Sequence, residues 1–493
     1  MPYPEGLPLY TIWEEIVYFL DSTRDLFSLA LTCHAFKELI IPDHLHYRNL
    51  CIDIRMTNVW EFLKSQPRLA KSVRSIKLSN RAKERLPPTL SGLTEKIRYH
   101  VPISHKDIAL FKSAISHMPL LRECSWGQFG VISSAQLVDI SDALTTSAPC
   151  LEGLYVNLFD LTSTMRHQHQ IKRLSIWTLT SLKRVVLRSQ FPSPDAIQMI
   201  LSCPNIEDLY SQATSRLNTF PFYMMQQANW TKLRRLEFQP LFLSNVEEIS
   251  MDISAIITSF FVRHSNIECL HFDVSSEIAL STLPPSSLPK LRSLSSHLEL
   301  DVMTSLLSKS NMSGLVHLTC TVTQIDPNTL PHMDKLESLC LFGNGDGPDL
   351  IDPFLSKAPN LKKISLAIRE SPILSEPSAL ECVRIKSSTK LWNKDAHDQY
   401  TELFLKYPQS KLTHIYIVSP LITGGDRDNV KVQIGTLCEK LSVLRGLKYV
   451  QVRPDYVELE RNENGTYSGY NFISSKEAES SPSWGGFFSK LSH

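Results

Sequence analysis

An excess of either charge is missing from this chain: Lys and Arg number 51, Asp and Glu 50. Nothing in the composition draws in nucleic acid or an anionic membrane as the main partner. Long apolar runs are missing too. None reaches the ~18 residues that a spanning helix requires. The opening Met1-Pro2-Tyr3-Pro4-Glu5 has no basic segment and no cleavage site, so no secretory signal is expected. Closely spaced cysteines are absent. Ten are present, yet no CxxC occurs and no Cys/His set has zinc spacing. Cys320 and Cys382 fall at apolar repeat positions. The expectation is buried, reduced thiols in a cytoplasmic or nuclear protein.

Catalytic motifs are missing as well. There is no GxxxxGK[ST], HExxH or GxSxG. The run Gly343-Asn344-Gly345-Asp346-Gly347 lacks the lysine and the spaced carboxylates of a phosphate or calcium loop, so it reads as a turn. Gly424-Gly425-Asp426 reads the same way. His167 and His169 have no third ligand nearby and read as surface histidines. No cofactor or metal is expected, and the chain is expected not to be an enzyme.

What is present falls into two textures. Residues 1–50 hold short apolar blocks at helical spacing: Leu7-Pro8, then Ile12, Ile16 and Leu20, then Leu26 and Leu29. Pro8 suits a first helical turn and Asp25 a cap. Some fifty residues of short helices bury too little surface to stand alone. Their apolar faces therefore need the following domain or another protein.

From about residue 66 a different unit recurs, Leu/Ile-x-x-Leu/Ile/Val-x-apolar. Clear copies include Leu151-Leu154-Val156, Leu182-Val185-Leu187, Leu233-Leu236-Phe238 and Leu361-Ile364-Leu366. Weaker ones are Val73-Ile76-Leu78, Leu121-Cys124-Trp126, Ile206-Leu209-Ser211 and Leu291-Leu294-Ser296. From Leu182 onward most steps lie in or near the roughly 20–29 residues of a leucine-rich repeat. Proline often sits just before the strand, as in Pro149-Cys150-Leu151 and Pro359-Asn360-Leu361, marking a switch from helix to strand. Helices are expected at 193–202, 246–262, 301–308, 349–357, 395–406 and 429–444, with Ser193 and Asp349 as caps. One unit cannot bury its apolar side alone; stacked units make a continuous core. The fold class that follows is α/β: a short helical segment, then an irregular solenoid with parallel strands on its concave face and helices outside.

Strand positions between the inward-facing ones point the other way. Lys183, Arg184, Tyr210, Arg234, Arg235, His271, Lys362, Lys363, Tyr416, Lys448 and Tyr449 form a candidate substrate surface. Basic pairs beside tyrosines suit an acidic or phosphorylated segment. An ordinary solvated strand face accounts for the same residues equally well.

Residues 7–47 resemble the F-box, on Leu7-Pro8, Ile12, Ile16, Leu20, Asp25-Leu26, Leu29, Leu31-x-Cys33 and Phe36. Tyr10-Thr11 departs from the acidic-aliphatic pair usual after Leu-Pro. With the repeats behind it, the whole chain is similar to the F-box/leucine-rich-repeat family. The resemblance implies an F-box over 1–50 and a solenoid over 51–473; residues 474–493, Ser-rich and short on aliphatics, read by composition as a disordered tail. In that tail Trp484, Phe487 and Phe488 are either a docking peptide or a loose terminus, the latter preferred. It also implies a substrate-recognition subunit of a Skp–cullin–F-box ubiquitin ligase, or an interaction scaffold without that role. The implied partners are a Skp-type adaptor, a cullin complex through it, and a protein substrate. Leu7, Pro8, Ile12, Ile16, Leu20, Leu26 and Leu29 are the expected adaptor contacts or their support.

Overall fold

A computed structural model of the protein describes residues 9–20, 22–41, 43–79, 88–91, 102–126, 133–158, 174–189, 193–213, 220–241, 252–274, 283–285, 287–299, 312–322, 330–343, 352–368, 380–387, 411–418, 427–442, 444, 447–452 and 455–473. The chain forms two compact units, Met1–Glu248 and Ile249–His493. Four short helices open the first unit: α1 Leu9–Phe19, α2 Thr23–Ala30, α3 His34–Ile40 and α4 Asp43–Arg48. Val17, Leu26, Ala30, Leu39 and Ile40 make a small buried core, with Trp13, Leu20, Leu29, Phe36, Ile41 and Leu45 packed around it. The Trp13 and Phe36 rings meet edge to face at 4.8 Å, a geometry that the aromatic quadrupole favours. The cap of α2 is Ser22, not Asp25: Ser22 Oγ accepts the Asp25 N–H at 3.2 Å. Asp25 sits instead in the first turn, where its charge suits the helix dipole.

Strands β1 Asn49–Ile52, β2 Ser75–Leu78, β3 Glu123–Trp126, β4 Gly153–Asn157, β5 Arg184–Ser189, β6 Asp208–Ala213 and β7 Arg235–Leu241 follow in the first unit. Each of them pairs in parallel with the next. The second unit continues with β8 Cys269–Val274, β9 Ser293–Glu299, β10 His317–Val322, β11 Ser338–Gly343, β12 Lys363–Ile368, β13 Cys382–Ser387, β14 His414–Val418 and β15 Tyr449–Val452. These too are parallel, in chain order. Helices lie between many strands, as at His105–Ile115, Ser134–Ser147, Pro194–Leu201 and Ile253–Arg263. This is an α/β solenoid behind a helical segment.

The repeat triads make its interior. Leu50, Ile76, Cys124, Leu154, Val185, Leu209 and Leu236 stand in register across β1–β7, all buried. The imperfect copies are buried as well. Ser211 and Ser296 replace an apolar third residue, and the Ser296 hydroxyl donates to the Phe272 carbonyl at 2.7 Å. That bond removes the cost of burying a hydroxyl.

Strand entry is equally regular. In most described coils the first apolar residue donates back three residues, as Leu151 N–H does to Ala148 O and Leu361 N–H to Ala358 O. The next two N–H groups then converge on one carbonyl of the preceding coil. Glu152 and Gly153 reach Arg122 O; Lys183 and Arg184 reach Glu152 O; Lys362 and Lys363 reach Glu337 O. Two donors per carbonyl fix both the register and the direction of the strands that carry them, β3–β7 and β9–β14.

Several expected elements shift. The first strand is β1, ahead of Val73. The expected helix 246–262 spans Ile253–Arg263, capped by Asp252 at Ala255 N–H. The one at 349–357 spans Asp352–Lys357, and the last, Arg427–Leu441, buries Ile434, Leu437 and Leu441 with nearby Leu444. Ser193 caps Pro194–Leu201 as expected, its Oγ accepting Ala196 N–H at 3.1 Å. The expected cap Asp349, the helices at 301–308 and 395–406, and the tail from 474 lie outside the described residues.

After β15 the chain turns into an antiparallel ribbon, β16 Asp455–Arg461 and β17 Tyr467–Ile473. Gly465 makes the turn at φ +74°, a conformation other residues resist. Arg461 binds the last coil, with Nη2 2.7 Å from Leu444 O and 3.2 Å from Ser442 O. Gly435 lies beneath Tyr470, and a methyl group there would overlap the phenol. Overpacking of about 1–3 kcal/mol, less the ~1 kcal/mol that alanine gains in a helix, should leave Gly435→Ala destabilised by up to about 2 kcal/mol. Urea titration should show that loss, and Tyr470→Phe in the same chain should recover part of it.

The helical segment is docked on the first coil by polar groups. Arg74 Nη2 donates to Tyr18 O at 2.5 Å, Tyr18 Oη to Arg68 O at 3.3 Å, and Lys71 Nζ meets Glu15 at 3.1 Å. His44 is buried against the Tyr18 ring, centroids 4.6 Å apart. Burial, then the charges of Arg48, Arg68, Arg74 and Lys71, pulls its pKa from 6.5 down to about 4. Between these values the unfolded chain holds a proton that the folded one refuses. Stability is therefore complete above pH ~6.5 and falls as pH drops toward ~4. Thermal melts across that window should show a shallower fall for His44→Gln than for the wild type. His414, also lowered to about 4, retains part of the slope.

Candidate functional site

Two surfaces emerge. The first lies on α1 and α2. Ile16 and Phe19 are one turn apart, and Phe27 and Leu31 are four residues apart, so each couple shares a helical face. Their exposures are 40, 76, 49 and 70%. These four belong to a short set of large apolar side chains exposed among the described residues. The residues behind them form the small core.

Of the expected adaptor residues, Ile16 is on this surface. Leu20 and Leu29 are half-buried against the core and Leu26 is fully buried, so these three support the face from within. Leu7 and Pro8 lie outside the described residues, as does the Ile12 side chain. Phe19, Phe27 and Leu31 stand on this surface although they are not among the expected contacts. Phe19 follows Ile12 and Ile16 at helical spacing and Leu31 matches the motif, but spacing alone does not separate an exposed apolar side chain from a buried one; that distinction needs the core.

The second surface is the strand face of the first unit, where the register builds rows of side chains. One row runs Arg122, Glu152, Lys183, Glu207, Arg234, each on the coil after the last. The signs alternate. Lys183 Nζ meets Glu152 at 2.8 Å, and Arg122 approaches the same carboxylate at 3.9 Å. The next row runs Glu123, Gly153, Arg184, Asp208, Arg235. Arg184 pairs with Glu123 across Gly153, whose missing side chain leaves room for the bridge; an added Cβ would lie 3.0 Å from Glu123 Cγ. Arg235 faces Asp208 at 3.9 Å. Burial raises the Asp208 pKa, and the Arg235 and Arg184 charges oppose that rise. The basic pairs are thus largely answered by carboxylates of neighbouring strands, which removes the case for them as a phosphate cradle.

A third row holds Ser125, Tyr155, Val186, Tyr210 and Glu237, and beyond it lie Asn157, Arg188 and Gln212. Tyr210 Oη is 3.1 Å from Gln212 Oε1.

In the second unit the candidate residues are spread out. His271 Nε2 is 3.2 Å from Asp273. Lys362 pairs with Glu337 at 3.1 Å, in a row that also alternates sign: Glu268, Arg292, Val316, Glu337, Lys362, Glu381. Lys363 is half-buried, Lys448 is exposed, and the side chain of Tyr449 lies outside the described residues. Tyr416 is buried, so it is not part of an open face. No group of three or more metal-ligating side chains occurs among the described residues. Residues His167 and His169 lie outside them. The cysteines that are described are free; burial raises the Cys124 thiol to about 12. Among the described residues no helix is long and apolar enough to cross a membrane.

No family model and no curated protein matches this chain. Among solved structures, a chain of the yeast Rad7 and Elc1 complex is similar over 86% of this chain and 95% of its own, at 13% identity and a TM-score of 0.39. So loose a likeness carries no functional argument, which rests on this chain's own residues.

Glu152 is the shared partner of Arg122 and Lys183 in its row. Glu152→Lys places three like charges in succession, a cost of about 1 kcal/mol. Urea denaturation at low salt should show that loss, and ~1 M salt should erase most of it.

Proposed function

We propose that the chain is the substrate-recognition subunit of a Skp–cullin–F-box ubiquitin ligase. On this reading α1–α3 dock a Skp-type adaptor, and the solenoid strand face receives a protein substrate. The observation that supports it is the apolar couple of couples, Ile16 with Phe19 and Phe27 with Leu31, exposed on a helical segment whose own core is complete without them. Burying one such side chain fully is worth about 1.5–3 kcal/mol. Four together favour a helix-groove partner over solvent. The charged docking of α1 on the first coil would hold a partner at a set distance from the strand face. The proposed contribution to ubiquitin transfer is proximity, with the chemistry belonging to a partner enzyme.

Phe19→Asp with Leu31→Asp should abolish co-purification with the adaptor, at least about tenfold in retained adaptor. Both side chains are exposed, so the melting temperature should stay unchanged. A double variant that keeps the adaptor fully would overturn the assignment. Ubiquitin transfer reconstituted with adaptor, cullin and RING subunit separates a ligase subunit from a scaffold that only binds.

A further inference from the structure

Arg188 stands apart from the other bases of β3–β7. Arg122, Lys183, Arg184 and Arg235 each face a carboxylate on a neighbouring strand. Arg188 has no ion pair among the described residues. Its guanidinium lies over the Tyr210 ring, 4.8 Å from the centroid, and its Nε is shut off from solvent with no hydrogen-bond partner. The side chain is half-buried. A charge withdrawn from water without a counter-charge costs free energy, and a bound anion returns it. Stacking on Tyr210 also fixes the fork, so little side-chain entropy is lost when an oxyanion arrives.

The surroundings narrow the ligand. Asn157 and Gln212 flank Arg188 in register, on β4 and β6. Their amides supply neutral groups of the kind that bind a peptide backbone. Val186 lies two residues back on the same face, between Tyr155 and Tyr210. Glu123, Asp208 and Glu237 stand on this face as well, the first two acting on Tyr155 and the last on Tyr210. A guanidinium with no ion pair among the described residues, its charge and a hydrogen bond acting on the Tyr210 phenol, balances a single negative charge. A phosphate dianion would leave a charge unanswered and face all three acids.

We infer that Arg188, stacked on Tyr210 between Asn157 and Gln212, is the anchor for one aspartate or glutamate side chain of the protein segment that binds the strand face of β4–β6. The inference rests on the reading above that this face receives a protein substrate, and it names the chemistry of that substrate.

The test uses the purified full chain and pools of short degenerate peptides, each with one position fixed as Asp, Glu, Asn, Gln, Ser or phosphoserine. The wild type should retain the Asp and Glu pools about tenfold better than the Asn and Gln pools, a difference of one charge-assisted contact. Arg188→Gln should lose that preference while melting no lower than the wild type, because it removes a partly desolvated charge. Arg188→Lys should keep the sign of the preference with weaker retention, and Lys183→Gln should leave it intact. Four results overturn the inference: no retention of any pool, no acidic preference, phosphoserine preferred over both carboxylates, or a preference that survives Arg188→Gln. Adaptor binding is measured separately on the Phe19→Asp, Leu31→Asp chain. Loss of the adaptor with intact acidic selection leaves the anchor standing. Failure of the wild type to bind an adaptor overturns the ligase reading alone.

Discussion

The hydrogen bonds at strand entry govern everything else in this molecule. In coil after coil, two successive N–H groups close on one carbonyl of the coil before. Because strand side chains alternate faces, fixing that one point decides which residues enter the core and which do not. The buried triads, the rows of alternating charge and the position of Arg188 are all consequences of the same register. A slip of one residue would turn every leucine outward and every arginine in.

The helical segment obeys a different economy. Its core of Val17, Leu26, Ala30, Leu39 and Ile40 is small, and polar contacts tie it to the first coil. Tyr18, His44, Arg68, Lys71 and Arg74 make a junction in which carbonyls and rings, rather than leucines, meet the charges. The apolar surface left over, at Ile16, Phe19, Phe27 and Leu31, is therefore not needed for that attachment.

The repeat core was legible in the sequence because its signal is chemical and periodic: a triad of apolar residues at fixed offsets, often after a proline. Even the copies ending in Ser211 and Ser296 were legible, since the first two positions carry the pattern. Other features were not. Strand β1 offers only Leu50 and Ile52, too little to separate it from the helices before it. Ser22 and Asp25 are both good caps, and only backbone geometry chooses between them. The terminal ribbon had a signal in Asn464-Gly465, a turn dipeptide between strand-like runs. At the candidate surfaces, the outward direction of Lys183 and Arg184 was readable, but their carboxylate partners sit on strands distant in sequence. That pairing, and the isolation of Arg188, exists only once the register is known. Tyr416 shows the limit of counting offsets, since it holds an outward position and is nevertheless buried.

The alternating row from Arg122 through Glu152, Lys183 and Glu207 to Arg234 bears on how such an array can lengthen. Copying one coil in tandem sets a lysine beside a lysine or a glutamate beside a glutamate, and each like neighbour costs about 0.2–1 kcal/mol. Copying two adjacent coils together preserves the alternation at no such cost. The electrostatic grain of the surface thus favours lengthening by pairs of coils over lengthening by single ones.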